Sequence, residues 1–107
     1  MSIAEAQVID IISTDPESGC VTLTATDHFG WGNGEHLMML QNKLNSYLAF
    51  VESGEVFDSY PNAKGKQIKL EVVCQHEPDA EAIKFFALCG EAIENAGFGF
   101  SYRVHKI

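Results

Sequence analysis

The chain has 107 residues, 46% of them apolar, and carries 15 acids against 7 Lys and Arg for a net charge of −8. That size and apolar content fit one domain, residues 1–107, and no apolar run reaches the ~18 residues needed to cross a bilayer. Nucleic-acid binders draw most of their affinity from Lys and Arg on phosphates, so an acidic chain without a basic cluster points away from nucleic acid as well as from membranes. Residues 1–42 hold six acids and no Lys or Arg, whereas residues 43–107 set nine acids against seven bases. The N-terminal part is therefore the source of negative field, and a basic partner protein is its natural complement. The opening residues Met1 to Gln7 show neither a positive charge nor an apolar stretch of the kind a secretory signal needs, so a cytoplasmic location is expected.

In chain order, Val8 to Ser13 and Cys20 to Thr26 are β-branched and alternate with period two around Asp15-Pro16-Glu17-Ser18-Gly19, which predicts a hairpin. Pro16 sets φ for a type I turn, Asp15 can accept from turn amides, and Gly19 suits the left-handed position. From Glu35 to about Glu52, Leu37, Leu40, Leu44, Leu48 and Val51 recur on one face, an amphipathic helix stopped by Ser53-Gly54. Gly54 to Gln67 reads as a long connection with turn chemistry at Tyr60-Pro61-Asn62 and Lys64-Gly65-Lys66. Ile68, Leu70, Val72 and Cys74 then alternate with Lys69, Glu71, Val73 and Gln75 as a half-buried strand. Pro78-Asp79 opens a helix carrying Ile83, Phe86, Gly90 and Ile93 on one face, and Gly97 ends it. A last strand alternates Phe98, Phe100, Tyr102 and Val104 with Gly99, Ser101, Arg103 and His105.

The order ββαβαβ, with one apolar face per strand, predicts a two-layer α/β sandwich of the α+β or α/β type: a four-stranded mixed sheet with two helices on one face. Right-handed crossovers leave the strand orders 1-2-3-4 and 2-1-3-4. The long connection is the one segment able to return the chain and make the third strand antiparallel.

Chemistry concentrates in Asp27 to His36, which holds the only tryptophan, two histidines and three glycines between a strand and a helix. Asp27, His28, Trp31 and His36 are the candidate binding residues, with Trp31 serving either as a contact residue or as a lid over the core. Asp27 and His28 make a poor acid/base pair, because adjacent strand residues point to opposite faces. If the last three strands are parallel, His28, His76 and His105 share their C-terminal edge with His36 nearby. That rim is the basis of an alternative reading as a small metal-dependent enzyme or hydrolase, although no HxH or HExxH pair fixes two metal ligands locally. No nucleophile elbow, phosphate loop or dinucleotide fingerprint occurs, so no catalytic residue, metal site or cofactor is assigned. Cys20, Cys74 and Cys89, an odd number without ligand spacing, read as reduced packing residues. Met39, Phe50 and Leu88 lie off the two predicted helix faces and are candidates for an oligomer surface, making a homodimer a candidate assembly.

Val8-Ile9-Asp10, Thr26-Asp27-His28 followed by Trp31, and the run from His36-Leu37 through Leu40-Gln41-Asn42-Lys43 and Tyr47-Leu48-Ala49-Phe50 to Glu52-Ser53-Gly54 resemble a family of small bacterial cytoplasmic proteins of unknown function. Tyr60-Pro61 and Lys64-Gly65 extend the resemblance over nearly the whole chain. It implies a bacterial single-domain protein and supplies no activity, cofactor or site residue. The expectation from the residues themselves is a non-enzymatic protein-binding or regulatory module that uses the acidic N-terminal hairpin and the Asp27–His36 loop.

Overall fold

Apolar and polar residues alternate from Val21 to Asp27 and from Ile68 to Cys74, and in the computed structural model both runs are strands. They pair parallel, Val21 opposite Ile68 and Asp27 opposite Cys74. The structure describes residues 11–32 and 34–105. Their elements are β1 (Ile11–Thr14), β2 (Val21–Asp27), α1 (Gly34–Glu52), α2 (Glu55–Ser59), a 3-10 turn (Pro61–Ala63), β3 (Ile68–Cys74), α3 (Ala80–Asn95) and β4 (Gly99–Val104). The architecture is α+β, a four-stranded mixed sheet with three helices. The strands lie in the order β1-β2-β3-β4, with β1 antiparallel to β2 and the other neighbours parallel.

The β1–β2 hairpin forms as its turn residues predict. Asp15 accepts from the Glu17 amide at 2.9 Å and the Ser18 hydroxyl at 3.0 Å, and these bonds hold its carboxyl below the usual carboxylate value. Gly19 takes φ 76°, a left-handed conformation that side chains with a Cβ resist. The predicted first strand began at Val8; residues 8–10 lie outside the described residues.

The long connection does not return the chain, and β3 runs parallel to β2. It also carries a short helix and a 3-10 turn where turn chemistry alone was expected. Val56 of α2 and Ala63 of the 3-10 turn are fully buried, and the Tyr60 hydroxyl lies 2.8 Å from the Thr14 hydroxyl on β1. Each of these segments is too short to show a helical period. The ββαβαβ expectation therefore lacks α2 and the 3-10 turn.

The core joins Val21, Leu23 and Ala25 of β2 and Ile68, Leu70, Val72 and Cys74 of β3 to residues of all three helices. On α1 the buried residues are His36, Leu40, Lys43, Leu44, Tyr47 and Val51, while Leu37 and Leu48 are half-buried. The helix is thus rotated from the leucine face read in sequence. Tyr47 explains the rotation: it is fully buried and its hydroxyl donates to the Thr24 carbonyl at 3.1 Å. The fully buried Lys43 ammonium lies over its ring, 5.3 Å from the centroid. α3 starts where expected, with the Asp79 side chain accepting from the Ala82 amide at 2.8 Å.

Candidate functional site

β2 ends at Asp27 with its side chain on the core face, and α1 begins seven residues later at Gly34. The first turn of the helix carries His36 back over the strand end. The result is a buried pair: His36 Nε2 lies 2.5 Å from Asp27 Oδ2, and both residues are 2% exposed. The other ring nitrogen, Nδ1, donates to the Gly30 carbonyl at 3.0 Å. The second oxygen of Asp27 accepts from the Phe29 amide at 3.1 Å. A carbonyl only accepts, so Nδ1 carries a proton, and a hydrogen bond between Nε2 and the carboxylate requires a second. Whichever partner holds that second proton, the pair as a whole is neutral, which removes the main penalty of burying it.

Trp31 closes this arrangement. Its ring stacks on His36 at 4.1 Å between centroids and meets Phe86 of α3 edge-on at 5.8 Å. The indole nitrogen donates to the His76 carbonyl at 3.0 Å, tying the loop to the end of β3. Phe29 meets the His36 ring edge-on at 5.9 Å. The sequence candidates Asp27, Trp31 and His36 therefore converge. His28 does not join them; it is exposed and stacks on Phe29 at 4.4 Å. Asp27 finds its imidazole nine residues on, at His36, while the adjacent His28 stays outside.

Chemically, the buried pair is a latch. A general base needs a ring nitrogen aimed at a reacting proton, and His36 has both nitrogens on protein acceptors beneath an indole lid. Cys74, opposite Asp27 on β3, is 1% exposed, and burial followed by the nearby Asp27 carboxylate pushes its thiol up to about 12. At neutral pH it is a protonated packing residue, as the sequence reading expected.

The histidine rim does not assemble as one set. His28 and His105 line a cleft of about 260 Å³ with Thr26, Val73 and Gln75 at the ends of the strands. His36 is committed to Asp27 in the core, and His76 is exposed, with its carbonyl taken by Trp31. Among the described residues no group of three or more His, Cys, Asp or Glu is arranged to hold a metal ion.

The three oligomer-surface candidates are also separated. Leu88 is 69% exposed and lines a groove of about 300 Å³ between α1 and α3 with Leu44, Leu48, Phe85 and Cys89. Met39 and Phe50 are half-buried against the core. At 100° per residue they project from the flank of α1 opposite Leu48, away from the groove. Periodicity could not have found this groove, because Leu48 was counted with the core face of α1, Phe85 was on neither predicted face, and Leu88 stood as an isolated outlier.

Among known proteins, a family model described as a family of unknown function (DUF6572) matches residues 1–106. No curated protein and no solved structure matches the chain.

Proposed function

The chain belongs to that family of unknown function, which passes on no activity, and from the arrangement of its surface we propose that it is a non-enzymatic protein-recognition module. The observation that carries this reading is the open apolar groove between α1 and α3, where Leu88 stands 69% exposed beside Leu44, Leu48 and Phe85. Apolar side chains left open and contiguous on a small domain mark a contact surface more often than a catalytic one. The framework is a two-layer sandwich with α1 and α3 on one face of the sheet, because residues of both pack into one core with Leu23, Leu70 and Val72. In this reading the Asp27–His36 loop fixes the start of α1 and the helical layer makes the contact. The acidic hairpin and the net charge of −8 bias that contact toward basic partners. A bacterial cytoplasm suits the free cysteines Cys20, Cys74 and Cys89.

Affinity capture from native cells with the wild-type chain and with Leu88→Glu tests the reading. A protein recovered by the wild type and lost by a variant of unchanged thermal midpoint supports it. Equal recovery by both, or recovery by neither, removes it.

A second reading, a small metal-dependent enzyme or hydrolase, rests on His28 and His105 sharing one cleft. Zinc titration followed by histidine NMR decides it: joint shifts of His28 and His105 at micromolar zinc favour this reading, and unmoved signals end it.

A further inference from the structure

Building on the protein-recognition reading, we infer that the groove between α1 and α3 is a docking site for a basic amphipathic helix of a partner protein. The floor is apolar, formed by Leu44, Leu48, Phe85, Leu88, Cys89 and Ile93, and its volume of about 300 Å³ suits a few inserted side chains rather than a large ligand. Two roughly side-by-side helices leave a furrow that a third helix fills with residues at i, i+3, i+4 and i+7.

The rim decides which helix. Glu52 lies one turn beyond Leu48 on α1, and Glu81 and Glu91 lie about one turn before Phe85 and one turn after Leu88 on α3; all three are exposed. Lys84, also exposed, lies on α3 between Glu81 and Glu91, and Gln41 and Asn45 supply the polar lining of the groove. An apolar stripe flanked by Lys or Arg satisfies both the floor and the rim. A second copy of this chain is the poorer occupant: groove against groove would bring two such acidic rims together between molecules that each carry −8.

The probe is a fluorescein-labelled 14-residue Leu/Lys peptide with leucines on one helical face, followed by anisotropy at low and moderate salt. Micromolar binding is expected, with shifts of groove amides in NMR and weakening as salt rises. Leu88→Glu should weaken it at least tenfold although it adds negative charge, and Glu91→Lys, a rim change that leaves the floor intact, should weaken it several-fold. A peptide of identical composition with the stripe scrambled should bind at least tenfold more weakly. If Leu88→Glu binds as tightly as the wild type, or the scrambled peptide matches the striped one, the attraction is charge alone and the inference falls. A wild-type dimer in sedimentation that Leu88→Glu converts to monomer gives the groove to a second copy and also overturns it. Failure of the peptide alongside capture of a groove-dependent acidic or neutral partner would leave the recognition reading standing and remove only the basic helix.

Discussion

His36 has two ring nitrogens, and the fold gives each an acceptor, Asp27 on one side and the Gly30 carbonyl on the other. Removing one member of such a buried pair leaves its partner unmatched away from water, so Asp27→Ala should destabilise by about 3–5 kcal/mol in denaturant titration. Trp31 covers the pair, and Trp31→Ala should cost about 3 kcal/mol, near the lower end for core aromatics, where a pure contact residue would lose under about 1 kcal/mol. Because Trp31 stacks on His36, the double variant with Asp27→Ala should fall short of the sum of the two; strict additivity would mean the lid and the latch are independent. Asp27, Trp31 and His36 were legible as a cluster of expensive side chains on a glycine-rich loop. Their pairing was not, since it joins a strand end to a helix start with no repeating period to expose it. Cys74 gives a pH test. Its folded thiol titrates at about 12 against an ordinary 9.0, so the folded chain holds a proton that the unfolded chain releases. The stability this contributes is complete below pH 9 and is lost as pH rises toward 12, by at most about 1.4 kcal/mol per pH unit. Chemical unfolding of wild type and Cys74→Ala between pH 8 and 10.5 should show a steeper decline for the wild type, and parallel curves would contradict it.

At the scale of elements, termini with side-chain caps were read correctly and short packed segments were not. Asp79 was identified as the opening of α3 because Pro78-Asp79 is a start signal, and its carboxylate does take the Ala82 amide at 2.8 Å. Asp79→Ala should therefore lower stability by about 1 kcal/mol, and Asp79→Ser should recover most of that loss; equal losses from both substitutions would assign the effect to something other than the cap. The segment Glu55–Ser59 is the contrary case. Val56 is its one buried residue and its neighbour Phe57 packs partly buried on the core, and two adjacent anchors have no period to recognise. The rotation of α1 has a related origin. Leucine spacing pointed to one face, but the residues that fix the helix on the sheet are His36 and Tyr47, which bury polar atoms because β2 offers them partners at Asp27 and Thr24. A hydrophobicity pattern cannot register partners supplied by another element.

For the whole molecule, chain connectivity narrowed the strand order to 1-2-3-4 or 2-1-3-4 and left the direction of β3 open; the order β1-β2-β3-β4 with β3 parallel to β2 came from the structure. A hairpin joins β1 to β2 and a helix-bearing crossover precedes each of β3 and β4, which leaves few arrangements that are right-handed and unknotted. Which surfaces remain open could not be read the same way, because that depends on how far α1 and α3 stand apart. Metal dependence belongs to this scale too, since four histidines near strand ends are the feature of the sequence that most invites a metal. The structure distributes them: His36 into the latch, His28 and His105 to one cleft, His76 to the tether of Trp31. The described core is held by apolar contacts among β2, β3 and the helices, with the latch closed by its own hydrogen bonds. A structural zinc contributes roughly 10–16 kcal/mol to the domains that need it, comparable with the entire stability of a chain this size. Its removal could not pass unnoticed. Dialysis against EDTA should therefore leave the thermal midpoint within about a degree of the untreated protein, on the expectation that about 1 kcal/mol corresponds to several degrees for such a domain. A fall of many degrees that zinc restores, and that is absent in His28→Ala or His105→Ala, would place a metal in the cleft and turn the molecule from a recognition module into a metalloprotein.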